Sequence, residues 1–402
     1  MRDWLDDFAK YASYGESSPR VMWWIGVATL AACLRRKVWI DQEVFQWSPN
    51  FYILIVGPPG AVKKSTSIDI GIRLLSKVEG INKGPSICTW QKLIEEIAAS
   101  QESFALPSGE VFEMSCMTLA LSEFGSFFDP SNRELIDNLT DLWDGKIGTI
   151  VKMTKTSGSD EMVNPWINII AATTPKWLAQ NFGENLVGGG LAGRFIYLYE
   201  DMPPPEKDVA YPKRKMQQAG TAEGRRATEV TLIAGLTELA KLGGDFELTE
   251  EAYEWGEIWY KEERAKLRAL GSDNLESGFV VRKQVHLHKL AMVICASRGA
   301  FPNITVEHLE VARGKLDEVD NDMRRVFGYV GQNKVTSASR EIVEIVCREG
   351  IIEKRQLYRR NFFRTLTVGE YNEAVASAVQ AELIMENDTV AKPILVPRPQ
   401  AN

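Results

Sequence analysis

The sequence predicts an α/β fold in which helices cover both faces of a parallel sheet. Four strongly apolar segments indicate buried strands, namely FYILIVG, MTLALSE, WINIIAAT and RFIYLYE. Helical segments separate most of them, and apolar strands that alternate with helices are typical of parallel sheets. A chain of 402 residues can also hold two or three domains.

Composition limits the class of protein. The formal net charge of −7 gives no global reason to bind DNA, so such contact requires a local patch or a pore built by several subunits. Five scattered cysteines without C-x-x-C spacing predict reduced thiols in the cytoplasm, without disulfides or a zinc site. The apolar run Val21–Leu34 is too short to span a bilayer comfortably and predicts a buried helix, so we expect no membrane association.

The elements follow in order along the chain. Residues 1–50 form an N-terminal helical region with helices at Asp3–Ser13 and Pro19–Leu34 and a short strand at KVWIDQ. Residues 51–205 form the α/β core, in which a weaker strand and three helices join the strong strands: the strand is Pro85–Trp90, and the helices are Lys64–Lys77, Trp90–Ser100 and Asn132–Trp143. Residues 206–226 have prolines and no hydrophobic period, which predicts a linker.

The last third of the chain is predicted to be mainly helical. Residues 227–330 carry a continuous helical pattern, and residues 338–402 show three short helices followed by a β-hairpin, the outline of a winged helix-turn-helix. The second of these helices is basic, with Arg355, Arg359, Arg360 and Arg364. The third is acidic and poor in base-reading side chains, so protein docking and contact with a DNA backbone both stay open.

The segment GPPGAVKKST, between a strand and a helix, approximates the phosphate-binding loop G-x-x-x-x-G-K-[ST] in a shifted register. If Lys63 is the phosphate lysine, Val62 replaces a glycine and Lys64 replaces the hydroxyl. If Lys64 is that lysine, Ser65 follows correctly but the loop has one extra residue. The alternative is a strand-to-helix turn with exposed lysines. The candidate phosphate-binding residues are Gly57, Pro58, Pro59, Gly60, Ala61, Val62, Lys63, Lys64, Ser65 and Thr66.

Polar residues at the ends of two further strands suit nucleotide hydrolysis. Glu123 is the candidate general base, and Ser122 stands where such hydrolases carry a first acid, so it could hold a metal-bound water. Ser65, with Thr66 as the alternate, would supply the hydroxyl for Mg²⁺. Thr173 or Thr174, at the tip of the third strand, could orient the attacking water.

Two arginines are candidates for the catalytic set. Arg194 follows a glycine-rich loop and cannot readily reach its own loop lysine across the sheet, but it could reach the nucleotide of a neighbouring subunit as an arginine finger. Arg282, in VVRKQVHLHKLAM, lies where a helical lid could place a second arginine on the phosphates. A solvated arginine on a helix face is the competing interpretation.

Taken together, these motifs resemble the AAA+ ATPases of phages and mobile elements that act as primase/helicase or replication proteins. They are also similar to the motor domain of minichromosome-maintenance helicases, and the resemblance covers approximately Met1 to Ser297. The Ser-Arg-Phe arginine finger of that family is matched by Gly193-Arg194-Phe195, and its lid arginine by Arg282. The resemblance implies a P-loop core with a helical lid, ATP and Mg²⁺ at sites shared between neighbours, and a homo-oligomeric ring, expected to be a hexamer, with DNA through its centre. It also favours Lys64 as the phosphate-binding lysine and Ser65 as the residue whose hydroxyl binds Mg²⁺.

The segment KIGTIVKMTKTSGSDEMVNPWI predicts a β-hairpin before the third strand. In the resembled helicases a hairpin in this place projects into the pore. Lys152 and Lys155 fall on its first arm and Lys146 at its base, where they would contact the phosphates of single-stranded DNA. The alternative is an edge hairpin kept soluble by its lysines.

We therefore expect an ATP-driven, ring-forming DNA helicase or translocase that acts in the replication of a phage or mobile element. Its expected location is the cytoplasm of a bacterium or an infected host, and its candidate partners include a primase or other replication proteins. Two alternatives stay open. One is an AAA+ initiator or helicase loader without processive unwinding, and the other is a nucleotide-binding assembly protein that has lost catalysis.

Overall fold

The computed structural model describes residues 3–60, 62–85, 89–106, 109–145, 147–154, 158–182, 190–203, 209–270, 277–327, 334–387 and 393–398. The chain divides into two compact units, Met1–Phe327 and Gly328–Asn402. Within the described residues, no helix combines the length and the apolar character that crossing a membrane requires.

The first unit begins with two helices and two short strands: α1 (Trp4–Ala12), α2 (Pro19–Leu34), β1 (Val38–Asp41) and β2 (Gln46–Trp47). From Val21 to its end, every side chain of α2 is buried. A helix that is apolar on all faces must be enclosed by other elements, and α2 packs between α1 and the central sheet. The predicted buried helix is therefore confirmed.

The α/β core follows, and its strands are β3 (Tyr52–Val56), β4 (Gln101–Ala105), β5 (Val111–Leu121), β6 (Thr149–Thr154), β7 (Gly158–Val163), β8 (Trp166–Thr173) and β9 (Phe195–Tyr199). Five of them form one sheet in the order β4-β5-β8-β3-β9. The last four strands of this order are parallel, and β4 is antiparallel to β5. Every residue of β3, β8 and β9 is buried. The α/β class, the parallel sheet and the four strong strands are thus confirmed.

The outer edge of this sheet differs from the prediction. Pro85 and Thr89 lie outside any strand and Trp90 begins a helix, while residues 86–88 are outside the described part of the chain. The edge position belongs instead to β4, whose side chains alternate between exposed and half-buried. A short edge strand with a polar face carries little of the apolar signal that reveals a central strand.

Helices and a hairpin connect these strands. The helices are α3 (Lys64–Leu75), α4 (Trp90–Ala99), α5 (Arg133–Asp144) and α6 (Pro175–Asn181). Helices α3, α4 and α5 agree with the predicted helical segments to within a turn, whereas α6 was not predicted. Strands β6 and β7 pair with each other in antiparallel fashion, which confirms the predicted hairpin.

The rest of the first unit is mainly helical, with α7 (Pro212–Gln218), α8 (Ala222–Leu239), β10 (Gly244–Asp245), β11 (Glu247–Leu248), α9 (Glu250–Leu270), α10 (Ser277–Ser297), β12 (Asn303–Ile304) and α11 (Val306–Phe327). Helix α7 and the start of α8 occupy the segment predicted as a linker. Pro212 at the first helical position explains why α7 begins there. Helix α8 packs on α1, where the Trp4 indole donates to the Leu232 carbonyl (3.0 Å), and β10 pairs with β1. These helices and the N-terminal region therefore share one packed unit.

The second unit contains α12 (Lys334–Glu349), β13 (Ile352–Glu353), α13 (Lys354–Leu357), α14 (Val368–Gln380), β14 (Ile384–Asn387) and β15 (Ile394–Pro397). A π-helical turn, Tyr358–Phe362, continues α13. Strand β15 pairs with β13 and β14 in antiparallel fashion. Apolar side chains from the helices and the sheet enclose a separate core. The three predicted helices and the hairpin are all present.

Candidate functional site

The loop between β3 and α3 starts at the carboxyl edge of the sheet, the edge where parallel α/β sheets bind ligands. The Gly57 N–H donates to the Thr173 carbonyl (3.3 Å), and a Cβ on Gly57 would lie 2.7 Å from the Glu200 carbonyl oxygen. Gly60 has a φ of 76°, in the left-handed region. Both glycines are therefore required by the backbone path. Ala61 lies outside the described residues.

Backbone geometry favours one of the two lysine registers. Helix α3 begins at Lys64, and Lys63 precedes it with φ 47° and ψ 34°. A non-glycine residue in this left-handed conformation costs about 1–2 kcal/mol, so Lys63 takes the backbone conformation that a glycine would adopt without strain. The Lys64 ammonium turns back over the loop and donates to the carbonyls of Gly57 (2.6 Å) and Pro58 (3.1 Å), while the side chain of Lys63 is exposed. This geometry supports Lys64 and Ser65 as the Lys-Ser pair of the motif.

The start of α3 differs from that of the neighbouring helices. Side chains cap those helices: Ser18 caps α2, Thr89 caps α4, Asn132 caps α5 and Thr174 caps α6. No side chain among the described residues caps α3. Its first-turn N–H groups thus lack a side-chain acceptor, and the helix dipole adds positive character at the same place. Such a helix start suits a bound phosphate.

Ser122 and Glu123 follow β5, and both side chains are exposed. Desolvation lowers the pKa of Lys64, and the negative charge of Glu123 partly opposes this effect. The structure therefore brings the Glu123 carboxylate into electrostatic range of Lys64. Ser65 and Thr66 are exposed at the first turn of α3, so a hydroxyl is available there.

The two threonines at the end of β8 have different surroundings. The Thr174 hydroxyl oxygen accepts a hydrogen bond from the Trp177 N–H (3.2 Å) and so caps α6. Thr173 is fully buried beside Val56, and its hydroxyl oxygen has no hydrogen-bond partner within the described part of the chain. Leaving a buried hydroxyl unpaired costs about 1–3 kcal/mol. A group bound next to the loop could supply the missing partner, so Thr173 is the better candidate.

Sequence reasoning missed the contacts that hold the loop from the N-terminal side. The Ser17 hydroxyl donates to the Val62 carbonyl (2.7 Å) and shares a hydrogen bond with the Ser67 hydroxyl (2.7 Å). The Ser18 N–H donates to Glu200, the residue after β9 (3.3 Å). Ser18 before Pro19 signals a helix start, but nothing in the sequence indicates that the adjacent Ser17 contacts a loop 45 residues away.

Arg194 lies at the opposite edge of the sheet. It precedes β9, whose five residues run parallel to β3 and span about 16 Å at roughly 3.3 Å per residue, so Arg194 does not reach its own loop. Only 8 % of its side chain is exposed. Its Nε and Nη2 donate to the two carboxylate oxygens of Asp144 (3.0 and 2.7 Å), and Nη1 donates to the Gly190 carbonyl (2.8 Å). This bidentate ion pair was not predicted from the sequence.

The structure places Arg282 beside Arg194 and not at the loop of its own chain. A Cβ on Gly190 would lie 2.9 Å from Nη2 of Arg282 and 3.2 Å from Nη1 of Arg194, so both guanidinium groups meet at this glycine. Arg282 is half-buried, and its Nη1 donates to the Gly278 carbonyl (3.0 Å). Desolvation lowers the pKa of Arg282, the charge of Arg194 lowers it further, and Asp144 opposes both.

We name Arg194, Arg282 and Asp144 together the arginine edge. The buried basic side chains of Arg36, Lys289 and His286 lie close to it. Desolvation lowers the pKa of Arg36 to about 10 and places that of Lys289 well below its usual value. Desolvation also lowers the pKa of His286 to about 3, and the charges of Lys289, Arg282 and Arg194 contribute. His286 is therefore neutral, and burial disfavours the charged form of Lys289. Arg194 is paired with Asp144, so Arg282 is the guanidinium of the edge that could contact an anion from outside the chain.

The hairpin lysines are only partly described. Lys146 and Lys155, and the side chain of Lys152, lie outside the described part of the structure. The backbone of Lys152 lies in β6, where the register places Asp160 of β7 opposite it.

No model of a known protein family matches the chain, and no curated protein matches it significantly. The chemistry of the site therefore follows from its own geometry. An uncapped helix start, a lysine over a glycine loop, a nearby carboxylate and an unpaired threonine hydroxyl can bind an anion and activate a water molecule beside it.

Proposed function

We propose that the protein is an ATPase of the AAA+ type that forms a homo-oligomeric ring, shares each active site between neighbours, and moves along or unwinds DNA during replication. The observation that supports the ATPase most directly is the uncapped start of α3, with Lys64 folded over the loop. The ring and the DNA substrate are supported by the order and spacing of the motifs, which resemble those of replicative AAA+ helicases.

In this proposal the phosphates of ATP lie on the loop between β3 and α3. The first-turn N–H groups of α3 contact the phosphate oxygens, and Lys64 exchanges its two carbonyl partners for them. Glu123 accepts the proton of the attacking water, and the hydroxyl of Thr173 gains the hydrogen-bond partner that it lacks. Magnesium bound with ATP would supply positive charge at the phosphates, and the hydroxyls of Ser65 and Ser122 would help to hold it.

The arginine edge completes the site of the neighbouring protomer. Its distance from the loop of its own chain excludes action on its own nucleotide in this conformation. Because Arg282 is half-buried and forms no ion pair within the described residues, it is the readier of the two to contact a phosphate. Arg194 donates to both carboxylate oxygens of Asp144. It must leave Asp144 before it can contact a phosphate as an arginine finger.

One observation favours a second candidate function, that of an AAA+ initiator or helicase loader. Translocation along DNA by the hairpin requires net positive charge on the hairpin, and the strand register places the acidic Asp160 of β7 opposite Lys152 of β6. A loader can remodel DNA or a partner protein without moving along the DNA, so it does not require continuous contact with the phosphates. Both candidates require ATP hydrolysis and differ in strand displacement.

A carboxylate substitution tests the proposal. Glu123→Gln should lower ATP turnover by about 10²–10⁴-fold, as expected for loss of a general base, and should retain binding of a fluorescent ATP analogue. Glu113→Gln is the matched control, because Glu113 is exposed near the other end of the same strand. Wild-type protein should also assemble on size-exclusion chromatography with a non-hydrolysable ATP analogue and single-stranded DNA.

Each outcome selects one function. Turnover with strand displacement on a forked duplex supports a helicase, and turnover without displacement supports a loader. Nucleotide binding with no turnover, in which Glu123→Gln changes nothing, indicates an assembly protein. If no nucleotide binds, or the chain stays monomeric with all ligands, the proposal is wrong.

A further inference from the structure

The second unit contains a cavity of about 660 Å³ between α13, its π-helical continuation and the start of α14. Tyr358, Phe363 and Val368 form apolar walls, and Arg355 and Arg359 lie beside them. Cavities of roughly 300–1,000 Å³ are typical of ligand sites. The cavity lies within the second unit, so it does not involve the nucleotide loop.

The apolar walls are fixed and open to solvent. Phe363 is 68 % exposed and Val368 is 60 % exposed, although both are large apolar residues. The phenol hydroxyls of Tyr358 and Tyr371 donate to backbone carbonyls (3.0 and 2.9 Å), so their rings are held in place with the polar groups satisfied. Adjacent exposed apolar side chains in a concave site usually mark an interaction surface.

The backbone beside the cavity has a rare conformation. The Phe363 N–H donates to the Tyr358 carbonyl five residues earlier (2.9 Å), as a π-helical turn requires. Single π-helical turns inside α-helices occur frequently at functional sites. Here the turn leaves the rings of Tyr358 and Phe363 in edge-to-face contact, with centroids 6.1 Å apart. This conformation is a second, independent sign of function at the same wall.

The charged residues of the cavity define the ligand. Lys354 is paired with Glu386 (2.7 Å). Arg355 and Arg359 are both exposed, lie four residues apart along the helical segment, and form no ion pair within the described residues. Glu373 is exposed on α14, close to the Asn372 position that lines the cavity. Because its carboxylate repels phosphates and carboxylates alike, the negative groups of a ligand must lie on the side of Arg355 and Arg359.

We propose that this cavity binds an acidic segment of a partner protein, which inserts one large apolar side chain between Tyr358, Phe363 and Val368. Carboxylates that flank the inserted side chain pair with Arg355 and Arg359. Charge complementarity selects an acidic partner, and an open cavity with apolar walls suits a single anchoring side chain. Single-stranded nucleic acid instead requires a groove in which successive cations follow the backbone.

Fluorescence anisotropy on the full-length protein tests this site. The probe is a short labelled peptide of aspartates around one phenylalanine. Phe363→Ser and Arg359→Glu should each weaken binding by about tenfold or more, as expected when an anchor or a charged contact is lost. Arg364→Glu is the matched control, because Arg364 is an exposed arginine of the same segment that does not line the cavity. It should leave binding within about threefold of wild type.

Two further measurements separate the apolar contribution to peptide binding from the charged contribution. Replacing the phenylalanine of the peptide by glycine should weaken binding about tenfold, and Arg359→Lys should restore part of the affinity that Arg359→Glu loses. Equal peptide binding by wild type, Phe363→Ser and Arg359→Glu would overturn the proposal. So would tight binding of labelled oligothymidylate that depends on Arg355 and Phe363 while the peptide fails to bind. Because Phe363 is exposed, its substitution should not unfold the unit, and an unchanged melting temperature checks this.

Discussion

Mixing two inactive variants tests whether the arginine edge acts on the nucleotide of a neighbour. Lys64→Ala removes the phosphate lysine, and Arg282→Ala removes the half-buried guanidinium of the edge. Arg194 precedes β9, and the loop follows β3, which is parallel to β9. The edge and the loop of one chain are therefore about 16 Å apart at roughly 3.3 Å per residue, so they cannot act on the same nucleotide. Loss of an arginine finger lowers turnover by about 10³-fold or more, so each variant alone should be nearly inactive.

An equal mixture should regain activity. A shared site is competent when one protomer supplies an intact loop and the next supplies an intact edge, which random assembly gives at about one quarter of the sites. ATP turnover of the mixture should therefore approach roughly a quarter of the wild-type rate. A mixture of Lys64→Ala with Glu123→Gln is the control, because both changes lie in the same pocket and every mixed site stays defective. Absence of recovery in mixed oligomers, verified by differential tagging, would refute the shared site.

Three further predictions follow from the loop and the buried histidines. Lys64→Ala should weaken ATP binding about 30-fold, the equivalent of one charge-assisted contact of about 2 kcal/mol, whereas Lys63→Ala should change it less than about threefold. If fluorescent-nucleotide titrations show equal losses of affinity for the two variants, the assignment of Lys64 as the phosphate lysine is wrong. Gly57→Ala should abolish binding and cost about 1–3 kcal/mol in calorimetry, because its Cβ would lie 2.7 Å from a backbone carbonyl; an unchanged melting temperature would contradict this. His286 and His288 have pKa values lowered by burial to about 3 and 4, so they are neutral when folded and protonate on unfolding below pH 6.5. Stability should fall by roughly 2 kcal/mol from pH 6 to pH 5, and a flat dependence in urea unfolding would be inconsistent with this.

The central elements of the fold could be predicted because burial leaves a strong sequence signal. Strands β3, β8 and β9 are buried at every residue and therefore consist of continuous apolar runs. The hairpin and the helices of the second unit follow from turn residues and periodicity. Strand β4 and helix α7 could not be predicted as readily, since both are mostly exposed and exposed elements lack a hydrophobic period.

The candidate site shows the same division. Residue types and strand ends predicted Gly57, Lys64 and Glu123 as candidates, because phosphate chemistry requires specific side chains at the carboxyl edge of a sheet. The sequence alone could not decide between Lys63 and Lys64, since the deciding feature is a backbone dihedral angle. Contacts between distant segments, such as that of Asp144 with Arg194, depend on how the chain folds back on itself.

Asp144 gives the arginine edge a property that a lone arginine lacks. Its side chain is 38 % exposed, whereas that of Arg194 is 8 % exposed, so the carboxylate lies on the outer side of the pair. A triphosphate that approaches this edge carries more negative charge than one carboxylate, and it would compete with Asp144 for Arg194 while it binds Arg282 directly. Once phosphate is released after hydrolysis, the local negative charge would fall, and Arg194 would return to Asp144. In the proposed ring, the ion pair would thus be open with ATP and closed without it, which couples the nucleotide state of one protomer to the conformation of the next.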